Sequence, residues 1–256
     1  GDAIGFSVDI SHDGNTIMAS SVKSDNFKGY VKVYEFDGSS WVPKGLTITI
    51  GVIFTDTTGL SAAMNYDGNT IIIGTPNYDV AAGTSQTTNE GRVDVYTWDS
   101  SVSPAGVWVL KGQPIIGSGD DRLFGSSVAI DNIGNTIIVG SPYYDTATTS
   151  IFGNALGKVN VYKYDTINSV WEDKGSPFIG AVGDEIGGVV TINGAGDTIV
   201  VGSVKTMHVN VYVWDVGDND WDQKGTVIIV DNTATDSSGF NNPRRPVAID
   251  NDGNTI

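Results

Sequence analysis

The sequence predicts an all-β protein, a β-propeller of four-stranded antiparallel blades, on three observations. A turn motif, Asp13-Gly14-Asn15-Thr16-Ile17, returns as Asp67-Gly68-Asn69-Thr70-Ile71 and Asp252-Gly253-Asn254-Thr255-Ile256. Weaker copies, Ile133-Gly134-Asn135-Thr136-Ile137 and Ala195-Gly196-Asp197-Thr198-Ile199, lie between, so the turn glycines stand 54, 66, 62 and 57 residues apart. Each of the first four turns is followed by a Val-x-Val-Tyr segment beginning at Val31, Val93, Val159 or Val209. Then come a tryptophan and a Lys-Gly pair: Trp41 with Lys44-Gly45, Trp108 with Lys111-Gly112, Trp171 with Lys174-Gly175, and Trp221 with Lys224-Gly225. A unit of this length cannot bury its own apolar faces and needs neighbours, which is the logic of blade and solenoid arrays. The repeats run 1–52, 53–117, 118–180 and 181–230, with a partial fifth at 231–256, in one repeat domain.

The third repeat shows the elements in order. Residues 124–131 alternate and are rich enough in β-branched side chains to form a strand, and Ile133-Gly134-Asn135 is a tight turn. Such hairpin turns need positive φ, which Gly and Asn tolerate, so they mark the fold rather than catalysis. Residues 136–139 form a short apolar strand that Pro142 ends, because proline cannot donate to the ladder. Residues 158–164 form a third strand with Val159 and Val161 on one face and Lys158, Asn160, Tyr162 and Tyr164 on the other. Residues 171–174 open a fourth. Bulky groups on both faces favour stacked blades over a one-sided solenoid. The second strands, such as Ile71-Ile72-Ile73, are apolar without alternation, which implies burial on both sides and an inner position. Radial closure would protect the sheet edges.

Composition excludes several classes. A net charge of −16 argues against nucleic acid as partner, since phosphate recognition needs a clustered basic surface. No apolar run reaches the length of a membrane span, so no membrane insertion is expected in this segment. Zero cysteines remove disulfides, thiol catalysis and cysteine-based zinc sites. His12 and His208 are the only histidines, and neither sits near a Gly-x-Ser-x-Gly elbow. No Asn-x-Ser/Thr acceptor is present. The chain opens in what reads as an inter-unit loop and stops within a strand, so a segment of a larger propeller is expected.

Phe124-Gly125-Ser126-Ser127-Val128-Ala129 followed by Val139-Gly140-Ser141-Pro142 resembles the FG-GAP repeat of integrin α-subunit propellers. Gly5-Phe6-Ser7-Val8, Gly74-Thr75-Pro76 and Gly202-Ser203 keep pieces of the pattern, so the resemblance covers the chain at one copy per unit. It implies seven blades, whereas five would need residues outside the segment to finish the last unit. In that family the first hairpin often carries an Asp-x-Asp-x-Asp-Gly calcium loop. Here only fragments stand, so the candidate metal ligands are Asp9, Asp13, Asp250 and Asp252, and otherwise no cofactor is expected. The turns also resemble the Asp-box of sialidase-type propellers, one residue short. Arg92, Arg122, Arg244 and Arg245 do not supply the arginine cluster that sialidase chemistry needs.

The remaining polar chemistry lies in the loops from one unit to the next and from the second strand to the third. They vary in length, with 24–28 short and 77–90 and 143–156 long, and in a propeller both sets emerge on one face. Its candidate binding residues are Tyr78, Asp79, Asp120, Asp121, Tyr143, Tyr144, Asp145, Asp184 and Glu185, with Asp56 and Asp236 among the other acids. Arg244-Arg245, between Pro243 and Pro246, is expected to pair with these acids. With no catalytic constellation assembled, the sequence points to a non-enzymatic, extracellular or surface-exposed structural or adhesive module. Protein or glycan contacts, including self-assembly into a particle or filament, would use the variable-loop face. The alternative is a carbohydrate-active hydrolase on the same face, for instance a retaining glycosidase pairing Asp120 with Asp184 at a carboxyl separation of about 5 Å.

Overall fold

A computed structural model describes residues 3–23, 28–51, 56–80, 89–102, 106–146, 155–203, 205–229 and 247–256. Blade one holds β1 (Ile4–Ile10), β2 (Thr16–Ser21), β3 (Tyr30–Phe36) and β4 (Trp41–Pro43). Blade two holds β5 (Ser61–Met64), β6 (Thr70–Thr75), β7 (Arg92–Asp99), β8 (Val107–Leu110) and β9 (Ile115–Ile116). Blade three holds β10 (Ser127–Ile130), β11 (Thr136–Ser141), β12 (Lys158–Asp165), β13 (Val170–Asp173) and β14 (Phe178–Ile179). Blade four holds β15 (Ile186–Ile192), β16 (Thr198–Ser203), β17 (His208–Asp215), β18 (Asp220–Gln223) and β19 (Ile228–Ile229). Each is an antiparallel meander in sequence order, and β9, β14 and β19 pair with the beginning of the third strand beyond the end of the fourth. The blades are those of a β-propeller.

The first strands of successive blades touch, β1 on β5, β5 on β10 and β10 on β15, so they lie nearest the axis. The second strands take an inner position between the first and third. β6 and β11 are buried throughout, because each is covered on both faces by adjoining blades. The two-residue period of the third strand holds. In β12, Val159 and Val161 pack towards blade four, while Tyr162 and Tyr164 pack towards blade two.

Each blade's first hairpin is closed by the residue at its base. Ser11 Oγ accepts the Thr16 N–H at 2.9 Å, Asn65 Oδ1 that of Thr70 at 2.8 Å, and Asn193 Oδ1 that of Thr198 at 2.9 Å. The following residues join blade to blade through their backbones: His12 N–H to Tyr66 O at 3.0 Å, Tyr66 to Asn132 at 3.3 Å, Asn132 to Gly194 at 3.1 Å, and Gly194 to Asn251 at 3.1 Å. The repeated turn is therefore one rung of a ladder running round the axis. Asp13 sits outside that ladder, accepting Ser11 Oγ–H at 2.6 Å and the Asn15 N–H and side-chain amide at 3.0 Å each, and these bonds lower its carboxyl from 3.8 to about 2. A depressed folded pKa contributes stability above pH 3.8 that is lost as pH falls towards 2. Melting curves recorded between pH 5 and pH 2 should show a shallower acid loss for Asp13→Asn than for the parent.

A second device crosses each seam at the outer edge. The Lys-Gly pair interrupts the fourth strand with glycine in the left-handed region, at φ 81° for Gly45, 75° for Gly112 and 79° for Gly175. This swings each lysine into the next blade. Lys44 Nζ donates to Asn69 Oδ1 at 2.8 Å, Lys111 to Gly134 O at 2.6 Å and Asn135 Oδ1 at 2.7 Å, Lys174 to Gly196 O at 2.6 Å, and Lys224 to Gly253 O at 2.9 Å. The next blade's tryptophan replies: Trp108, Trp171 and Trp221 donate Nε1–H to the carbonyls of Lys44, Lys111 and Lys174 at 2.8, 2.7 and 2.8 Å. The Trp and Lys-Gly of the sequence repeat are the two halves of an inter-blade clasp.

Candidate functional site

The loops from one blade to the next and from second to third strand meet at one end of the blades. Parallel bridges Gly29–Thr58, Gly91–Phe124 and Gly157–Ile186 tie each second-to-third loop to the lead-in of the next blade. Residues 24–27, 81–88 and 147–154 of these loops, with Asp236, Arg244 and Arg245, lie outside the described residues.

The structure divides the predicted binding residues into separate groups. At blade two, the Arg92 guanidinium lies 5.1 Å from the centre of the Tyr78 ring and makes two 2.7 Å bonds to buried Asp94. Burial pushes the Asp94 carboxyl up, and Arg92 opposes that shift. Asp79 is buried beside this group in sequence. At blade three, buried Asp121 takes the Lys158 ammonium at 2.9 Å and the Ser118 N–H and Oγ–H at 3.0 and 2.7 Å. Lys158 lies over the Tyr144 ring at 5.0 Å. Asp120 is exposed, and its carbonyl accepts the Asp145 N–H at 3.2 Å. Asp184 closes its own loop by accepting the Ala181 N–H at 2.8 Å, while its carbonyl accepts Ser203 Oγ–H.

Glu185 stands differently. It is buried, its backbone is left-handed at φ 54°, and its carboxylate lies 3.4 Å from Lys205 Nζ. The Tyr143 hydroxyl is raised above the ordinary phenol value, first by burial and then by the charge of Glu185. Ala3, Thr57 and Leu123 precede the corresponding strands of the other blades with the same left-handed backbone, so the strain belongs to the repeat. Among these four described positions only that of blade four holds an acid. A carboxylate and an ammonium thus pair at the lead-in to blade four, and the charge of Glu185 is felt at the Tyr143 hydroxyl of blade three. The Asp120 carbonyl holds the Asp145 backbone and the Asp184 carboxylate holds that of Ala181.

The candidate calcium ligands are distributed over different turns. Asp9 accepts the Met64 N–H at 2.8 Å across the first seam and the Ile10 N–H at 2.8 Å, and burial raises its carboxyl despite these bonds. Asp13 is occupied as described, Asp250 accepts the Asn254 N–H at 2.7 Å, and Asp252 is exposed. Among the described residues no cluster of three or more acids or histidines is arranged to hold a metal.

Sequence reading missed the cations Arg92, Lys158 and Lys205. The first two were legible as the residues immediately before each Val-x-Val-Tyr segment, but their carboxylate partners were not. The pairing of Lys205 with Glu185, twenty residues earlier and across a hairpin, carries no local signal.

No family model matches the chain, and no curated protein matches it. Solved structures do. A 6-phosphogluconolactonase candidate from Bacteroides fragilis is similar at TM-score 0.56 and 12% identity, over 89% of this chain and 55% of that one. A periplasmic gluconolactonase from Pseudomonas aeruginosa is similar at TM-score 0.55 and 14% identity, over 91% and 58%. Sqt1 from Chaetomium thermophilum is similar at TM-score 0.52 and 14% identity, over 89% and 48%. The chain spans about half the length of these structures. At such identities the likeness shows the fold alone. It corrects the expectation of a non-enzymatic, integrin-like adhesive module: proteins named as lactonases share this architecture, so neither adhesion nor the absence of enzyme activity follows from it.

Proposed function

We propose that the chain forms part of a propeller hydrolase that opens a sugar-derived lactone or similar cyclic ester at the seam of blades three and four. The observation that carries this reading is the pairing of Glu185 with Lys205 at the loop end, with Tyr143 under the charge of Glu185, and the likeness to propellers named as lactonases supports it. Lactone opening needs a base for water, a positive group facing the carbonyl oxygen and an acid for the leaving alkoxide. Glu185 takes a proton from water as the oxygen adds to the carbonyl carbon. Lys205 faces the oxyanion, which re-forms the carbonyl as the ring C–O bond breaks. Tyr143, whose raised pKa keeps it protonated at neutral pH, gives its proton to the departing alkoxide. The periplasmic gluconolactonase among the matched structures supports a secreted or periplasmic location.

The test is a pH-stat assay of proton release from sugar δ- and γ-lactones, phosphorylated and not, corrected for spontaneous opening. It is run on the chain and on the longest natural polypeptide that contains it. Glu185→Gln should lower kcat/KM by about 100-fold or more with the melting temperature nearly unchanged. No rate above background on any lactone, or a Glu185→Gln variant as active as the parent, would overturn the assignment.

A further inference from the structure

Blade one presents an apolar face that every other seam covers. Trp41 is 43% exposed, against 8%, 5% and 8% for Trp108, Trp171 and Trp221 at the same place in the next three blades. Val8 and Ile10 are 67% and 57% exposed, where their counterparts Ala62 and Met64 in blade two are each 8% exposed. Phe36 and Ile4 continue the patch. A contiguous apolar surface of this kind on a blade flank marks a contact that the described residues do not complete.

The covered seams specify what fits there. At seams one–two, two–three and three–four, the preceding blade supplies a lysine to the turn glycine carbonyl and that lysine's own carbonyl to the tryptophan Nε1–H. It also supplies a serine Oγ to the first-strand N–H: Ser7 to Ala62 at 3.2 Å, Ser61 to Val128 at 3.0 Å and Ser127 to Val190 at 3.0 Å. Finally it offers a flank of aliphatic side chains from its second and third strands, as Ile72, Val93 and Val95 do for blade three. Blade one holds the receiving half of each contact: the Gly14 carbonyl and Asn15 amide in the turn, the Trp41 indole, the Val8 N–H and the apolar flank. The acid Asp13 in that turn suits an incoming ammonium, as Asp67 in the turn of blade two does for Lys44.

We propose that this flank seats a further blade of the same repeat, carried in the same polypeptide and bearing its own Lys-Gly clasp. A cis blade is favoured over a second copy of these residues on two grounds. The receiving half demands a flank like those of blades one to three, and the matched propellers contain roughly twice the chain present here. The inference is independent of the hydrolase reading and needs no activity to test it.

The chain has no cysteine, so single substitutions report without background. Val8→Cys and Ile10→Cys are placed both in the 256-residue chain and in the longest natural polypeptide containing it, and the rate of reaction with a small thiol reagent is measured, with particle mass by light scattering. In the 256-residue chain both cysteines should react as exposed thiols; in the longer polypeptide, at unchanged monomer mass, they should react at least 100-fold more slowly. Hydrogen exchange at the Trp41 indole, read on the unsubstituted protein, should slow in parallel and does not depend on the variants folding. Equal reactivity in both forms overturns the proposal, as does a natural product no longer than these residues. Protection that appears only in a concentration-dependent dimer of the short chain assigns the flank to a second copy and overturns it as well.

Discussion

Gly140→Ala is expected to destabilise the protein by about 3 kcal/mol, lowering its melting temperature by roughly 10 °C. Gly140 lies in β11, and a Cβ added there would meet the carbonyl oxygen of Gly187 in blade four well inside contact distance, with the Gly187 carbonyl carbon at 2.7 Å and its Cα at 2.9 Å. These are backbone atoms, so no rotamer change relieves the clash and the seam itself must open. Gly140 is not in the left-handed region, so the cost is one of space rather than of φ. Gly74→Ala should behave alike, because its Cβ would strike the Gly125 carbonyl across seam two–three. Gly119→Ala is the control: it is exposed, nothing lies within 4 Å of its Cβ position, and stability should stay within about 0.5 kcal/mol. Calorimetry of the three variants decides the matter, and a Gly140→Ala protein as stable as the Gly119→Ala protein would refute the steric account.

Lys111→Met is expected to cost about 2–3 kcal/mol, because it leaves two shielded acceptors without a donor. The ammonium serves Gly134 O and Asn135 Oδ1 and lies 4.8 Å from the Tyr164 ring centre and 5.9 Å from that of Trp171. Methionine keeps much of the apolar stem, so the loss reports on the Nζ donors rather than on packing. Burial lowers the Lys111 pKa in the folded state, with Asp131 and Asp67 opposing that shift. A lysine so depressed imposes a penalty that is fully present below its folded pKa and disappears as pH rises towards 10.5, so stability carried by this group increases over that interval. Denaturant unfolding across the same interval should show a smaller rise for Lys111→Met than for the parent. A double-mutant cycle with Trp171→Phe tests whether lysine and tryptophan act as one clasp, which requires a coupling energy above about 0.5 kcal/mol. Additivity would mean that the two contacts are independent.

Several parts of the fold were legible in the sequence because they depend on neighbouring residues alone. The Gly-Asn turns announce positive φ, which follows from the local backbone, and Gly14, Gly68, Gly134, Gly196 and Gly253 all adopt it. Alternation in β12 announced which side chains share a face. The first strand of blade three starts at Ser127 rather than at Phe124, because Leu123 and Gly125 are left-handed and the lead-in between them docks through Phe124 against Gly91 and through Gly125 against Gly140. Phe124 is fully buried there, in the place that Ile4, Thr58 and Ile186 take in the other blades, and the left-handed glycine after it recurs as Gly5, Gly59 and Gly187.

The candidate site was less legible. Its acids and tyrosines could be named from loop position, but their partners could not, because Asp121 meets Lys158 and Glu185 meets Lys205 across hairpins whose length varies from blade to blade. Function was misread for a related reason. Repeats that build a scaffold dominate the sequence, while the few residues that differ between blades, such as the acid at Glu185 where others have Ala3, Thr57 and Leu123, are single letters without a motif.

The sequence by itself determined the repeat, the four-strand meander of each blade and its turns, since strand alternation and positive φ are properties of adjacent residues. Only the tertiary structure decided that the first strand lies innermost, that Lys-Gly and Trp clasp successive blades, that Gly140 cannot carry a side chain and that one flank of blade one stands open. Each of these depends on how residues a whole repeat apart are brought together, and that is set by the packing of one blade on the next.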